Sequence, residues 1–291
     1  MEKYSLGSIK RDSIRRVFAC IRKKSLISRL EISKEIGLSL MTVGKIADAL
    51  ADNNIIIQQK GTTGSVGRKA SFISLNNDNF ALVLDLSEEN NSFAVVNIGG
   101  EVLYSESLNA NDGAEDPTSA FFEKAKTYAE MNYLLDPCMG VGVIVNCGAD
   151  ITDIEKRFTS VFGKTPDVMV TPVRAKAAAV ISGERSAIYF EVGATSTGAY
   201  TLDGETCDID GRILGDPADT VCAIGAFLSP DKIVLDGDAS VCQKIEQSIS
   251  EACKSTELVI ASQTGTEKAN VKYIGCAAMV ADEYANITKR L

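Results

Sequence analysis

The sequence predicts a mainly α module, a helix-turn-helix followed by a β wing, joined to a larger α/β body. Three observations carry that prediction. Charge is divided unevenly along the 291 residues, two short capped helices meet at a glycine turn near the N-terminus, and strand-like apolar runs alternate with helical patterns from residue 80 onward.

The charge division is sharp. Residues 1–75 hold 14 Lys and Arg against 6 Asp and Glu, a net of +8; of the whole chain's 30 and 39, the remainder keeps 16 and 33, a net of −17. A small basic module on an acidic body is the distribution expected when one end of a molecule meets phosphates. The hydrophobic fraction of 45% supports two or three domains. The first thirty residues are charged throughout and no apolar run approaches the ~18 residues of a membrane span, so a cytoplasmic protein is expected. Eight cysteines without a Cys-x-x-Cys pair read as reduced, mostly buried thiols. The absence of histidine excludes Ser-His-Asp and Cys-His catalysis and removes the commonest zinc ligand.

Within the basic module, Ile14, Val17, Phe18 and Ile21 recur at helical spacing and predict an amphipathic helix from about Ser8 to Lys24. Ser28-Arg29-Leu30-Glu31 is a capping box, in which hydroxyl and carboxylate each satisfy a free backbone N–H, and it announces a second helix that Gly37 ends. Ser39 then caps a third helix with Val43, Ile46, Ala47 and Leu50 on one face. Ile55 to Gln59 and Ser71 to Leu75 read as two strands around the glycine-rich loop 60–69. That loop lacks the Gly-Lys-Ser/Thr ending of a phosphate-binding P-loop and reads as a wing for the minor groove. The expected DNA contacts are Ser39, Leu40, Met41, Thr42 and Lys45 at the start of the third helix, and Gly67, Arg68 and Lys69 in the wing. A three-helix packing module without nucleic acid is the plainer alternative.

In the body, strands are predicted at Phe80–Leu86, Phe93–Ile98, Val102–Tyr104, Val141–Val145, Val168–Val170, Ala187–Phe190 and Lys232–Leu235. Helices are predicted near Pro117–Tyr133, Asp153–Phe162, Ala175–Ile181 and Gly275–Tyr284.

Several segments resemble the ROK (repressor, ORF, kinase) family in its repressor form. They are Gly37-Leu38-Ser39 through Leu50, the wing ending Gly67-Arg68-Lys69-Ala70, the following strand pair, Leu202-Asp203-Gly204, Ser229 through Leu235, and Gly275-Cys276-Ala277-Ala278. The resemblance implies a winged helix-turn-helix over 1–75 and a shortened, two-lobed actin-like (ribonuclease H-like) fold. Its lobes would span 76–185 and 186–291, with the C-terminal helix returning to the first lobe. It further implies a transcriptional regulator, a repressor, that binds double-stranded operator DNA as a homodimer or higher homo-oligomer, with a sugar or sugar derivative as its small-molecule effector.

The departures from kinase relatives are as informative. Where those carry Asp-x-Gly-x-Thr, this chain reads Asp85-Leu86-Ser87-Glu88-Glu89, placing carboxylates in the phosphate loop. The second phosphate loop corresponds to Gly193-Ala194-Thr195-Ser196-Thr197, which keeps only its first glycine. Arg174 stands where the family's aspartate base would be, and a guanidinium cannot accept a proton. The family's Glu-x-Gly-His and Cys-rich zinc motifs are missing, and Asp236-Gly237-Asp238 replaces the glycine run beside the adenosine pocket. The pair Asp236 and Asp238 suggests a Mg²⁺ site, solvated loop acids being the plainer reading. The expectation is a former active site with no catalytic residue, no metal and no cofactor. Two alternatives stand beside it: a degenerate sugar kinase, and a scaffold whose body only dimerises.

Overall fold

The computed structural model describes residues 6–60, 71–108, 115–132, 134, 138–181, 183–193, 196–202, 205–209, 216–252, 256–261 and 270–286. Helix α1 (Leu6–Lys24) buries Ile14, Val17, Phe18 and Ile21, the stripe its periodicity predicts. A two-residue strand, β1 (Ile27–Ser28), follows, and its Ser28 closes the capping box of α2 (Arg29–Ile36): the Glu31 N–H donates to Ser28 Oγ at 3.2 Å and the Ser28 N–H to Glu31 Oε2 at 2.8 Å. Gly37 ends α2 in the left-handed region at φ 71°, where a Cβ is costly, and donates its N–H to Ser33 O at 3.0 Å. Helix α3 (Leu40–Asp52) starts from Ser39, whose hydroxyl accepts from the Thr42 N–H at 3.1 Å, and it buries Val43, Ile46, Ala47 and Leu50. β2 (Ile56–Lys60) and β3 (Ser71–Leu75) complete an antiparallel sheet in the order β1-β3-β2.

The body repeats one plan twice. β4 (Phe80–Asp85), β5 (Asn91–Asn97), β6 (Val102–Leu108), α4 (Pro117–Met131), β7 (Cys138–Ile144), α5 (Ile151–Phe162), β8 (Val168–Val170) and α6 (Pro172–Ile181) form the first set. β9 (Ser186–Val192), β10 (Thr197–Leu202), β11 (Glu205–Ile209), α7 (Pro217–Leu228), β12 (Lys232–Gly237), α8 (Ala239–Ala252), β13 (Glu257–Ile260) and α9 (Val271–Ala285) form the second. The sheets run β6-β5-β4-β7-β8 and β11-β10-β9-β12-β13. In both, the first three strands pair antiparallel and the last two add in parallel.

Strand alternation divides the first sheet into a large-residue face and a small-residue face. Phe80, Leu82, Leu84, Phe93 and Val95 pack with Phe121, Phe122 and Phe158 of α4 and α5. Ala81, Val83, Ala94 and Val96 face the other way and join the core that holds α9. The second sheet is covered by α7 and α8 through Val221, Cys242, Ile245 and Ile249, and on its other face α6 packs Val173, Ala177 and Ile181 on Ala187, Tyr189, Ala199 and Val234. The C-terminal helix thus returns to the first sheet, and α6, which lies before residue 185, packs on the second. A lobe boundary at 185 therefore divides α6 from the sheet it covers.

The two exchanged helices meet each other between the sheets. Gly275 sits at their crossing, where a Cβ would lie 1.7 Å from the carbonyl oxygen of Ala175. Glycines in β7 serve the same close packing: a Cβ on Gly142 would lie 2.4 Å from Cys276 Sγ. The N-terminal module docks on α9 through Arg22, whose Nη1 donates to Ala278 O and Asp282 Oδ1, both at 3.2 Å. No helix among the described residues is long and apolar enough to cross a membrane.

Candidate nucleic-acid interface and the Asp85 cluster

The exposed start of α3 is built by its caps. With Val43, Ile46 and Leu50 turned inward, Leu40 and Met41 are left 51% and 72% exposed, and Thr42 and Lys45 lie on the same outer surface. Ser39 and Thr42 also share a hydroxyl–hydroxyl hydrogen bond of 2.8 Å, so both are tied to the helix start. No acidic residue occupies this first turn, and the free N–H groups and positive dipole end suit an anion such as a phosphate. The helix is braced from behind: Arg29 of α2 pairs with Asp48 of α3 and donates to Gln58 of β2 at 2.7 Å. Arg16 of α1 donates to Ile36 O at 2.6 Å. Gly67, Arg68 and Lys69 lie outside the described residues.

In the first lobe, Asp85 ends β4 on the same side as Ala81 and Val83, so alternation aims it at α9. It is fully buried there. Its Oδ1 accepts from the Ser87 N–H at 2.9 Å and the Ser87 hydroxyl at 2.6 Å, and its Oδ2 faces the Lys272 ammonium at 2.6 Å. The same ammonium is paired with Glu88. Burial alone would push Lys272 down, but hydrogen bonds and Coulombic attraction to Asp85 and Glu88 together outweigh it and hold the ammonium above its ordinary range. Beside it, the Tyr273 hydroxyl and Ser92 Oγ share a hydrogen bond of 2.7 Å. Of the expected former-site residues, Asp85, Ser87 and Glu88 are therefore brought together, and by a residue the sequence reading did not single out. The only local signal was a lysine placed before the apolar run of the last helix.

The others are dispersed among separate tasks. Arg174 is half-buried on α6, its Nε without a hydrogen-bond partner among the described residues. Gly193 is exposed just past β9, and Thr195 lies outside the described residues. Asp236 accepts from the buried Tyr189 hydroxyl at 2.7 Å; burial first, then this hydrogen bond and the Asp236 charge, push the phenol up. Asp238 caps α8, accepting from the N–H groups of Ser240 at 2.9 Å and Val241 at 3.2 Å. The Ser240 hydroxyl, and then those two N–H groups, hold its carboxyl below the ordinary range. The two carboxylates are thus engaged by different partners, Asp236 by a phenol of the neighbouring strand and Asp238 by the start of its own helix. Among the described residues no group of three metal-ligating side chains converges, and Cys20, Cys138, Cys147, Cys207 and Cys276 form no disulfide.

Comparison of the sequence with protein-family models finds no match, and comparison with curated proteins finds none. Solved structures do match. A ROK family transcriptional regulator, described as a homologue of the E. coli MLC protein, superposes with a TM-score of 0.64 at 17% identity, over 97% of this chain and 98% of its own. A ROK hexokinase from Thermus thermophilus matches at a TM-score of 0.52 and 14% identity, over 69% of this chain and 97% of its own. A glucokinase from Parabacteroides distasonis matches at a TM-score of 0.52 and 11% identity, over the same shares. The duplicated sheets and exchanged helices are thus a fold that this chain shares with that regulator and those kinases.

Proposed function

We propose that the protein is a DNA-binding transcriptional regulator, a repressor of the ROK type, acting in the cytoplasm as a homodimer or higher homo-oligomer. Residues 1–75 are its winged helix-turn-helix; residues 76–291 are a kinase-like body that no longer phosphorylates sugars. The observation that carries this reading is coverage. The regulator matches 97% of the chain and the kinases 69%, and the difference, 28% of the chain, is close to the share that residues 1–75 make of the 291. That module presents Leu40, Met41, Thr42 and Lys45 on an acid-free helix start, with Arg68 in the wing as the minor-groove contact.

A ROK hexokinase with the same body fold favours a second reading, a degenerate sugar kinase. Phosphoryl transfer needs Mg²⁺, phosphate-facing donors and a base beside the acceptor hydroxyl. Here Lys272 occupies the carboxylate of Asp85, Glu88 stands in the loop, and Arg174 offers no base. A coupled assay with ATP and a hexose panel separates the two. No turnover is expected, and turnover abolished by Asp85→Asn overturns the reading. For DNA, a gel-shift titration of duplex fragments at 50 and 200 mM salt is the test. Affinity should fall steeply, about a thousandfold for six phosphate contacts, and Arg68→Ala should weaken binding by about 1–3 kcal/mol. Absence of binding at low salt removes the proposal.

A further inference from the structure

A pocket of about 320 Å³ lies at the seam between α1 and the body, walled by α1, α6, α9 and the β5–β6 hairpin. Three cations line it, Arg22, Lys23 and Lys232, against one carboxylate, Glu184. Arg22 and Lys23 come from the basic module and Lys232 from the body, so the seam gathers cations from both parts of the chain. Arg22 is held in place by Ala278 O and Asp282. Lys232 is different: its side chain is only 19% exposed, and its ion pair with Glu184 is a loose 4.0 Å. A lysine that lines the pocket and whose ion pair is this long has room to take a second anionic oxygen. The hairpin wall is formed by Asn97, Ile98, Gly99 and Gly100.

We propose that this pocket binds a small metabolite carrying carboxylate or phosphate groups, and that its occupancy regulates the N-terminal module. The volume is at the small end of ligand pockets, ~300–1,000 Å³, which suits a compact polyanion. The last turn of α6, where carbonyls run out of intrahelical donors, would accept the hydroxyl groups of such a molecule. The walls join three parts of the chain: the DNA-binding module through α1, the first sheet through its hairpin and α9, and the second through Glu184 and Lys232. A bound anion bridging Lys23 and Lys232 therefore ties the orientation of the module to both lobes. This site is separate from the Asp85 cluster, and its regulatory half rests on the DNA-binding reading above.

The test uses the full-length protein and three probes, inorganic phosphate, 3-phosphoglycerate and citrate, in calorimetric titration and thermal shift without DNA. At least one probe should bind and raise the melting temperature; which one distinguishes a phosphate from a carboxylate source. Lys232→Met keeps the aliphatic stem and should weaken binding about tenfold or more, one charge-assisted contact. Glu184→Gln frees the ammonium and should tighten binding several-fold. It guards against a trivial loss of fold, because an unfolded variant binds nothing more tightly. No binding by any of the three probes, or affinity indifferent to Lys232→Met and Glu184→Gln, overturns the site. In the second arm, the bound probe should change duplex-DNA affinity by the factor that DNA changes probe affinity. Probe binding with unaltered DNA affinity overturns the regulatory half alone. Probe binding by a protein that takes up no DNA overturns the DNA-binding reading and leaves the pocket standing.

Discussion

Replacing Lys272 by Met tests the first-lobe cluster directly. The lysine is 8% exposed, and Asp85, its partner at 2.6 Å, has no exposed surface at all. Met keeps most of the aliphatic volume, so the change is nearly pure loss of charge. Asp85 would then retain two hydrogen bonds from Ser87 but no counter-ion. Removing one member of a buried pair costs about 3–5 kcal/mol because the remaining charge is stranded, and the Ser87 bonds place this case near the lower end, about 3 kcal/mol. Urea denaturation should report a lower midpoint at unchanged slope. The double variant Asp85→Asn with Lys272→Met should recover much of the loss, since both charges are gone. A single-variant cost under about 1 kcal/mol, or a double variant worse than the single, refutes the account. The pH dependence has a definite sign. A folded-state pKa raised above the unfolded value contributes stability that is fully present below about 10.5 and is lost as pH rises through the folded value. The alkaline limb of stability should therefore be shallower in Lys272→Met than in the native protein.

Other positions give independent tests. Gly44→Ala should stabilise by about 1 kcal/mol, because the new methyl meets only Arg29 Nη1 at 3.4 Å, the end of a flexible side chain; a lower melting temperature would contradict this. Gly275→Ala should cost about 3 kcal/mol or fail to fold, its methyl falling on the Ala175 carbonyl; a native melting temperature would show that the α6–α9 crossing is wrong. Light scattering of the full-length protein at micromolar concentration should give at least a dimer, and a monomer would remove the two-fold basis for paired half-sites.

Local features of the fold were legible and distant ones were not. Ser28, Glu31, Gly37 and Ser39 act within three or four residues of themselves, so the helix starts and stops they mark appear where the pattern places them. Buried strands such as β4 and β9 announce themselves as unbroken apolar runs. β1 is too short to leave a pattern, and α8, with Gln243, Lys244, Glu246, Gln247 and Ser248 outward, shows only Cys242, Ile245 and Ile249 as its stripe. β10 and β11 mix threonine, glycine and acid residues and exist because β9 offers them an edge. The Asp85 site was legible as a carboxylate in a changed loop. Its counter-ion was not, because Lys272 reaches it only once α9 has crossed to the first sheet. The same holds for Asp236, whose partner Tyr189 lies on the neighbouring strand.

The exchange of α6 and α9 also dictates an order of assembly. The small-residue face of the first sheet, Ala81, Val83, Ala94 and Val96, is covered by a helix drawn from the end of the chain. During synthesis those strands emerge long before their cover exists. The N-terminal half consequently cannot complete its own core as it leaves the ribosome, as an independently folding domain would. The Lys176–Glu191 contact between α6 and β9, at 2.7 Å, mirrors the Lys272–Asp85 contact between α9 and β4. Each half's sheet is thus fastened by a lysine from the helix that ends the other. Cutting the chain near residue 270 would leave every strand in place and still open the first half from within.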